Sequence, residues 1–248
     1  MSTINFAEGG YRAIPAVFQY SGGVAALPGF SIRRVRFLEP VPVAEGFRRI
    51  EEEIRAAGRP LTAFCACELR SPAPFTDEGF RDFNRSYVEP LRRWGVVGDD
   101  LNPVARSNVC PEFDPPTEPS FHAFAFTVAE PESRATFVIA GSGEAREGGA
   151  RYEDATVRPG ETSPDAIAEK ARYVLGEMER RLGLLGMSWR EVGATQVYTI
   201  HDLHPFLASE IVPRGATRGG LTWHYCRPPV RGLEFEMDCR HVAREAVI

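Results

Sequence analysis

Lysine is almost absent from this chain of 248 residues: Lys170 is the only one, and the other strongly basic side chains are arginines. A lysine that forms a Schiff base is activated by desolvation or by a neighbouring cation. The polar, helix-starting stretch around Lys170 predicts neither, which argues against a pyridoxal phosphate enzyme. Arginine, in contrast, suits bidentate recognition of carboxylates.

A basic surface and long apolar runs are lacking as well. The formal net charge of -5 argues against nucleic acid or an anionic membrane as a partner, since both need a basic surface. No apolar run is long enough to span a bilayer, and residues 1–10 lack the basic start and apolar core of a signal peptide. The five cysteines are odd in number and lie in apolar strand patterns. They predict buried free thiols in a cytoplasmic protein rather than a disulfide framework.

The predicted strands and helices occur twice in one order: strands, helix, strand, helix, two strands. The clearest helix belongs to the second half, where Ser163 begins a long amphipathic stretch that stops at Gly186. We therefore predict two units, residues 1–130 and 131–248, which meet near 130–133. Each unit is expected to be α+β, a mixed sheet with helices packed on one face.

Each sheet of this plan leaves one face open. That face needs a cover, which the other unit or a further chain can provide, so we expect a homo-oligomer. The last strand alternates between apolar side chains and the charged Glu234, Glu236, Asp238 and Arg240. This charged face either meets water, as antiparallel sheets often do, or lines a cleft or a subunit interface.

The repeated order, together with the segments FVIAG at 137–141 and VYTIHDL at 197–203, resembles the Rid family of YjgF-like imine and enamine deaminases. The resemblance implies two chorismate-mutase-like units in tandem, a trimeric assembly, ligand sites in clefts between units and no cofactor. It further implies a hydrolase that deaminates a small carboxylate-bearing imine or enamine. A 2-aminomuconate-like intermediate of aromatic catabolism is one candidate substrate, suggested by some relatives.

In that family an arginine on the first closing strand binds the substrate carboxylate, and a glutamate on the last strand positions the attacking water. Arg106, within PVARS at 103–107, matches the arginine, and Glu236, within FEMD at 235–238, matches the glutamate. The two lie in different halves, and neither half contains both. The resemblance therefore implies a composite or altered site, or one half that only serves as a scaffold.

Other side chains near the two motifs are candidates for the same site. His122 and His224 are candidates for catalysis because histidine titrates near neutral pH, although a lone strand histidine is more often structural. Ser107, Tyr198 and Cys226 are candidates for binding the substrate.

The two principal residues also have structural interpretations. Arg106 can simply pair with a carboxylate such as Glu112, and Glu236 can be a solvated strand residue. If Glu236 shares its face with Glu234 and Asp238, their repulsion raises the pKa of at least one carboxyl, which suits a general acid or base.

Several side chains are of the types that bind zinc: His201, His204, His224 and Cys226. The first two lie at a strand-to-helix corner, where capping accounts for polar residues. Spacing alone does not fix a tetrahedron of ligands, so no metal is predicted.

Two other functions stay open. Tandem units of this fold also occur in chorismatases, which hydrolyse the enol-ether pyruvyl group of chorismate. The segment at 137–141 is compatible with them, but no motif specific to them is present. The second is a protein that binds a small carboxylate without catalysis, because the split pair is compatible with lost activity.

Overall fold

The protein consists of two mixed β-sheets with helices on their outer faces. The computed structural model describes residues 2–98, 101–131, 134–146 and 152–248. The strands are β1 Ile4–Phe6, β2 Tyr11–Ile14, β3 Gly23–Ala26, β4 Phe30–Pro42, β5 Phe64–Arg70, β6 Ala105–Pro111, β7 Ser120–Ala129, β8 Phe137–Gly143, β9 Ala194–Tyr198, β10 Leu221–His224, β11 Cys226–Arg227, β12 Glu236–His241 and β13 Arg244–Val247. The helices are α1 Val43–Ala56, α2 Asp77–Arg93, α3 Tyr152–Ala155, α4 Pro164–Leu184 and α5 His204–Phe206, which continues as a π turn over Leu207–Ile211.

The two halves repeat one strand topology. The first sheet contains the order β4-β7-β5-β6 and the second contains β8-β12-β9-β10. In each case the first two neighbouring pairs are antiparallel and the last pair is parallel. This repetition confirms the predicted α+β fold with two chorismate-mutase-like units in tandem.

Each sheet is completed by strands from the other half of the sequence. The N-terminal strands β1 to β3 extend the second sheet, with β3 antiparallel to β8. The C-terminal β13 lies parallel to β4, and β11 pairs with β6, so both join the first sheet. The division at residue 130 stays a prediction, and Glu132 and Ser133 of the expected boundary lie outside the described residues.

The helices form because local signals and an apolar stripe agree. The Ser163 hydroxyl caps α4 by accepting a hydrogen bond from the N–H of Ala166, and proline occupies the first turn. The Thr76 hydroxyl caps α2 in the same way by accepting from the N–H of Gly79. The apolar stripe of α4 packs on the second sheet, while α1 and α2 pack on the first. Among the described residues, no helix is both long and apolar enough to span a membrane.

The faces left open by the helices cover each other within the chain. Small buried side chains from both sheets meet there, among them Ala66, Ala105 and Ala140. The charged face of β12 belongs to this contact, because Glu236, Asp238 and Arg240 are only 4%, 4% and 8% exposed. The interpretation that this face meets water is therefore wrong for these three residues, and one of them, Glu236, lines a cleft.

The single lysine fastens the segment that leads into β12. Lys170 is fully buried, and its Nζ donates to Glu144 Oε1 at 3.2 Å and to the Val157 carbonyl at 2.8 Å. Glu144 also accepts hydrogen bonds from the backbone N–H groups of Glu234 and Phe235. The polar neighbours of Lys170 in the sequence gave no sign of this burial. Glu144 thus connects Lys170 to the backbone of residues 234 and 235, which directly precede Glu236.

Candidate active site

A cavity of about 350 Å³ opens where the two units meet. Its wall is built from the turn at 17–20, from α2 and β6 of the first unit, and from the end of β8 and the segment 229–236 of the second. Arg106 and Glu236 both line it, although they are 130 positions apart in the sequence. The fold therefore brings together the two residues that matched different halves.

Arg106 is a buried cation that points from β6 toward α2. Its side chain is 3% exposed, and Nη2 donates to Asn84 Oδ1 at 2.7 Å. Aromatic rings surround the guanidinium, with the Tyr87 centroid at 4.7 Å and the Tyr20 centroid at 5.3 Å. Nη1 has no hydrogen-bond partner among the described residues. Such a donor is suited to an incoming carboxylate.

Arg106 does not form an ion pair with Glu112, which was the structural interpretation of this residue. Glu112, the carboxylate named for it, forms an ion pair with Arg227 instead, with 2.8 Å between Arg227 Nε and Glu112 Oε2. Arg106 faces the cavity and α2.

Glu236 is a buried carboxyl group with a raised pKa. Burial raises its pKa well above the ordinary value, and repulsion by Asp238 and Glu144 raises it further. Repulsion was the expected cause, and burial proves to be the larger one. A raised pKa favours the acid form of a carboxyl group, and the acid form can donate a proton to a substrate.

Gly141 makes room for Glu236 against the neighbouring strand. A Cβ atom at position 141 would lie 2.2 Å from Glu236 Oε1 and 3.1 Å from the Cα of Ser107. Any side chain there would displace the carboxyl group, so glycine is required. The same distances show that Glu236 Oε1 lies near the backbone of β6 at Ser107, the residue that separates the cavity residues Arg106 and Asn108 in the sequence.

Three amide side chains complete the polar wall, and none of them was predicted from the sequence. Asn84 and Asn108 are buried, and their oxygens are occupied by Arg106 and by the Ser71 hydroxyl. Their Nδ2 atoms have no partner within the described part of the chain, and neither has Gln19 Oε1. One signal was available for Asn84, which interrupts the apolar stripe of α2.

Ser107 and Tyr198 lie in a different place, between the two sheets. The Ser107 hydroxyl donates to Asp238 Oδ2 at 2.6 Å, and the Tyr198 hydroxyl donates to the same oxygen at 2.9 Å. We call this region the inter-sheet polar layer, and its members are Arg34, Glu68, Ser107, Gln196, Tyr198, Asp238 and Arg240. Neither Ser107 nor Tyr198 lines the cavity, and their role in substrate binding stays a prediction.

His122, His224 and Cys226 flank this layer and also lie outside the cavity wall. Burial, reinforced by Arg70, lowers the pKa of His224 to about 4 and that of His122 to about 3. The His224 ring stacks on Tyr198 at a centroid distance of 5.1 Å. Both histidines are therefore neutral near pH 7 and do not titrate there. Burial likewise raises the pKa of the Cys226 thiol.

Two of the four candidate zinc ligands, His201 and His204, contact carboxylates. His201 Nε2 lies 2.8 Å from Glu234 Oε2, and His204 Nδ1 lies 2.6 Å from Asp202 Oδ1. Asp202 also accepts a hydrogen bond from the backbone N–H of His204 at the start of α5. Across the described residues, no three His, Cys, Asp or Glu side chains converge as a metal-ligand group.

Comparison with known proteins adds to this geometry. Residues 3–246 match the family described as 2-aminomuconate deaminase CnbZ. The chain is 53% identical over 245 residues to 2-amino-5-chloromuconate deaminase of Comamonas testosteroni, with 98% of each chain covered.

Among solved structures, a chorismatase aligns with a TM-score of 0.54 at 14% identity, over 90% of this chain and 77% of its own. The YjgF gene product of E. coli aligns over 44% of this chain and 81% of its own, with 17% identity and a TM-score of 0.31. The chorismatase likeness is one of fold. The prediction of a deaminase is confirmed, since the matching family and the Comamonas relative are both deaminases. This chain belongs to the family of 2-aminomuconate deaminase CnbZ.

Proposed function

We propose that this protein is a hydrolase that releases ammonia from a 2-aminomuconate-type substrate in the cavity between its two units. The observation that carries the proposal is the meeting of Arg106 and Glu236 in one cavity wall, the first with an unpartnered donor and the second with a raised pKa. The activities named for the family and for the Comamonas relative give independent support.

Substrate binding begins at Arg106. Its unpartnered Nη1 donates to the carboxylate next to the carbon that bears nitrogen, while Asn84 holds the guanidinium in place through Nη2. Asn84 Nδ2 is a second donor at the same end of the cavity. The aromatic rings around Arg106 exclude water, which strengthens this charged contact.

Glu236 then acts first as an acid and second as a base. In the enamine form, its proton passes to the β-carbon as the enamine π electrons form the new C–H bond, and the amino-bearing carbon becomes an iminium. The resulting Glu236 carboxylate takes a proton from water, whose oxygen bonds to that carbon and gives a carbinolamine. This order suits a carboxyl group whose pKa is raised in the resting protein.

Collapse of the carbinolamine completes the reaction. A proton moves to the nitrogen, the C–N bond breaks with its electron pair leaving on ammonia, and the hydroxyl becomes a ketone after losing its proton. One water is consumed and one ammonia is released. No atom other than carbon, nitrogen, oxygen and hydrogen is involved and no oxidant or reductant is needed, so the chemistry requires no redox cofactor.

Ammonia release tests the proposal. We expect the protein to accelerate ammonia formation from freshly generated 2-aminomuconate above the uncatalysed rate. A protein that only binds the ligand would not change that rate, and a chorismatase would instead consume chorismate. An unchanged rate with folded protein would contradict the proposal.

The proposal includes a homo-oligomer, with a trimer as the expected form, in a cytoplasmic setting. Large apolar side chains are exposed near the β10 edge and the β6–β11 end of the sheets: Trp223, Tyr225 and Phe113 are 38%, 55% and 88% exposed. Exposed large apolar side chains of this kind favour association. All five cysteines are free and buried, which fits a reducing compartment. Light scattering at micromolar concentration tests the assembly, and a monomer mass would contradict it.

A further inference from the structure

Asn108 is a buried amide at the opposite end of the same strand segment from Arg106. It is 3% exposed and lines the cavity. Residues two apart on a strand project from the same face and are separated by about 6.6 Å along it. Asn108 and Arg106 therefore contribute to the wall of one cavity from the same face of β6.

The orientation of the Asn108 amide is fixed by the protein. The Ser71 hydroxyl donates to Asn108 Oδ1 at 2.9 Å, and Ser71 itself is fully buried and held by its backbone N–H, which donates to the Val109 carbonyl. The oxygen end of the amide is thus occupied. Nδ2 is left without a partner among the described residues. A buried amide nitrogen without a partner is unfavourable unless a ligand supplies an acceptor.

The reacting group, Glu236, lines the same cavity as the two amide- and guanidinium-bearing residues of β6. Glu236 Oε1 sits beside β6 at the level of Ser107, as its closeness to the site of a Gly141 Cβ shows. A ligand that lies along β6 with an anionic group at each end would therefore place its middle carbons near Glu236.

From this geometry we infer that Asn108 is a specificity-determining residue that binds the carboxylate at the far end of the substrate. Through this contact the cavity selects a linear dicarboxylate over a monocarboxylate of the same length. The inference rests on the proposed function, because it assumes that Arg106 binds the first carboxylate. Arg106 supplies the charge at one end, and Asn108 supplies an oriented neutral donor at the other.

Two stable ligands that differ at one end measure the contribution of the second carboxylate to binding. Muconate and sorbate share a six-carbon diene, and sorbate has a methyl group in place of one carboxylate. Calorimetric titration of the wild-type protein is expected to show tighter binding of muconate. Asn108→Leu is expected to weaken muconate binding by about 10- to 100-fold, the usual effect of losing a hydrogen bond to a charged group, and to leave sorbate binding unchanged. Asn108→Asp keeps the size and adds repulsion, so it is expected to weaken muconate binding further; it decides the test if the leucine variant does not fold.

Asn102→Leu is the matched control. Asn102 is equally buried, its oxygen accepts from the backbone N–H of Val104 at 3.0 Å, and its Nδ2 also lacks a partner in the described chain, but it does not line the cavity. Its substitution is expected to leave the ratio of the two affinities unchanged. Equal loss of both ligands in the Asn108 variants, or no preference for muconate in the wild type, would overturn the inference. The proposed function fails separately, if ammonia is not released, because these titrations need no turnover.

Discussion

The cavity wall and the inter-sheet polar layer are both buried, both polar and both built from the two units, yet they differ in how far their groups are satisfied. In the layer, Asp238 accepts from Ser107, Gln196 and Tyr198, and Arg34 donates twice to Glu68 at 2.6 and 2.9 Å. In the wall, Arg106, Asn84 and Asn108 each keep a nitrogen without a partner among the described residues. Buried polar side chains are thus hydrogen-bonded to one another in the layer, whereas in the wall some of their nitrogens are left without a partner.

This difference separates scaffold from site. A satisfied buried network holds the sheets in one arrangement, whereas unsatisfied donors around a cavity favour a ligand. The separation is one of degree, since Arg70 and Arg240 also keep one unpartnered nitrogen each. Those two atoms, however, do not line the large cavity.

We expect the largest effect from Glu236→Gln, a substitution in the cavity wall. This variant keeps the shape of the wall but removes the transferable proton, so we expect turnover to fall by roughly 10²–10⁴, the range for a lost general acid or base. Binding of muconate is expected to persist. Turnover and titration on the folded variant check both statements, and wild-type turnover would place the chemistry elsewhere.

The same variant has a predicted effect on stability. The unfolded chain releases the Glu236 proton in the ordinary carboxyl range, while the folded protein retains it to higher pH. The free energy of unfolding therefore falls as pH rises above that range. Glu236→Gln is expected to remove this loss and to raise the denaturation midpoint at pH 8 relative to wild type.

Substitution of one arginine in each region gives the next largest effects. Arg106→Ala is expected to weaken binding of carboxylate ligands by roughly 2–5 kcal/mol, the cost of losing a buried charged contact.

Arg34→Ala removes the partner of Glu68, so it is expected to lower the free energy of unfolding by about 3–5 kcal/mol and to leave ligand affinity of the folded fraction unchanged. Titration and chemical denaturation of both variants check the pair. The comparison fails if the two variants show the same pattern.

Asp238→Asn tests the influence of the layer on the wall. Asp238 repels the ionised form of Glu236, so removing its charge lowers the pKa of Glu236. Activity that needs the acid form then declines at a lower pH than in the wild type. The measurement is the pH profile of kcat/KM, and an unchanged alkaline limb would show that the two regions are independent.

His224→Gln should have the smallest effect. Because His224 lies beside the layer and outside the cavity wall, we expect turnover to change only slightly. A hundredfold loss of turnover would instead support His224 as a catalytic residue. Its folded pKa of about 4 lies below that of an unfolded histidine, about 6.5. The unfolded chain binds more protons between those values, so stability is lost as pH falls through them. The variant should lose less stability than the wild type between pH 7 and pH 5 in denaturant titrations.

Local patterns were enough to predict the repeated units. Caps such as Ser163 and the apolar stripe of α4 are encoded by neighbouring residues, so the sequence predicts them directly. The exchange of β3 and β13 between the sheets depends on which distant edges meet, and no local pattern specifies that.

The candidate site was predicted only where a motif existed. Arg106 and Glu236 stand in recognisable segments, whereas Asn108 and Gln19 matter because their partners are missing, which is a property of the folded protein. His224 and Tyr198 were attractive as titratable or polar strand residues. The fold satisfies them with each other and with Gln196, which the sequence does not reveal.

A crystal structure with muconate bound is the decisive test of where the substrate binds. We expect electron density in the cavity between the units, with one carboxylate within hydrogen-bond distance of Arg106 Nη1 and the diene beside Glu236. Muconate bound elsewhere, for example against His224 and Cys226 with the cavity empty, would contradict it.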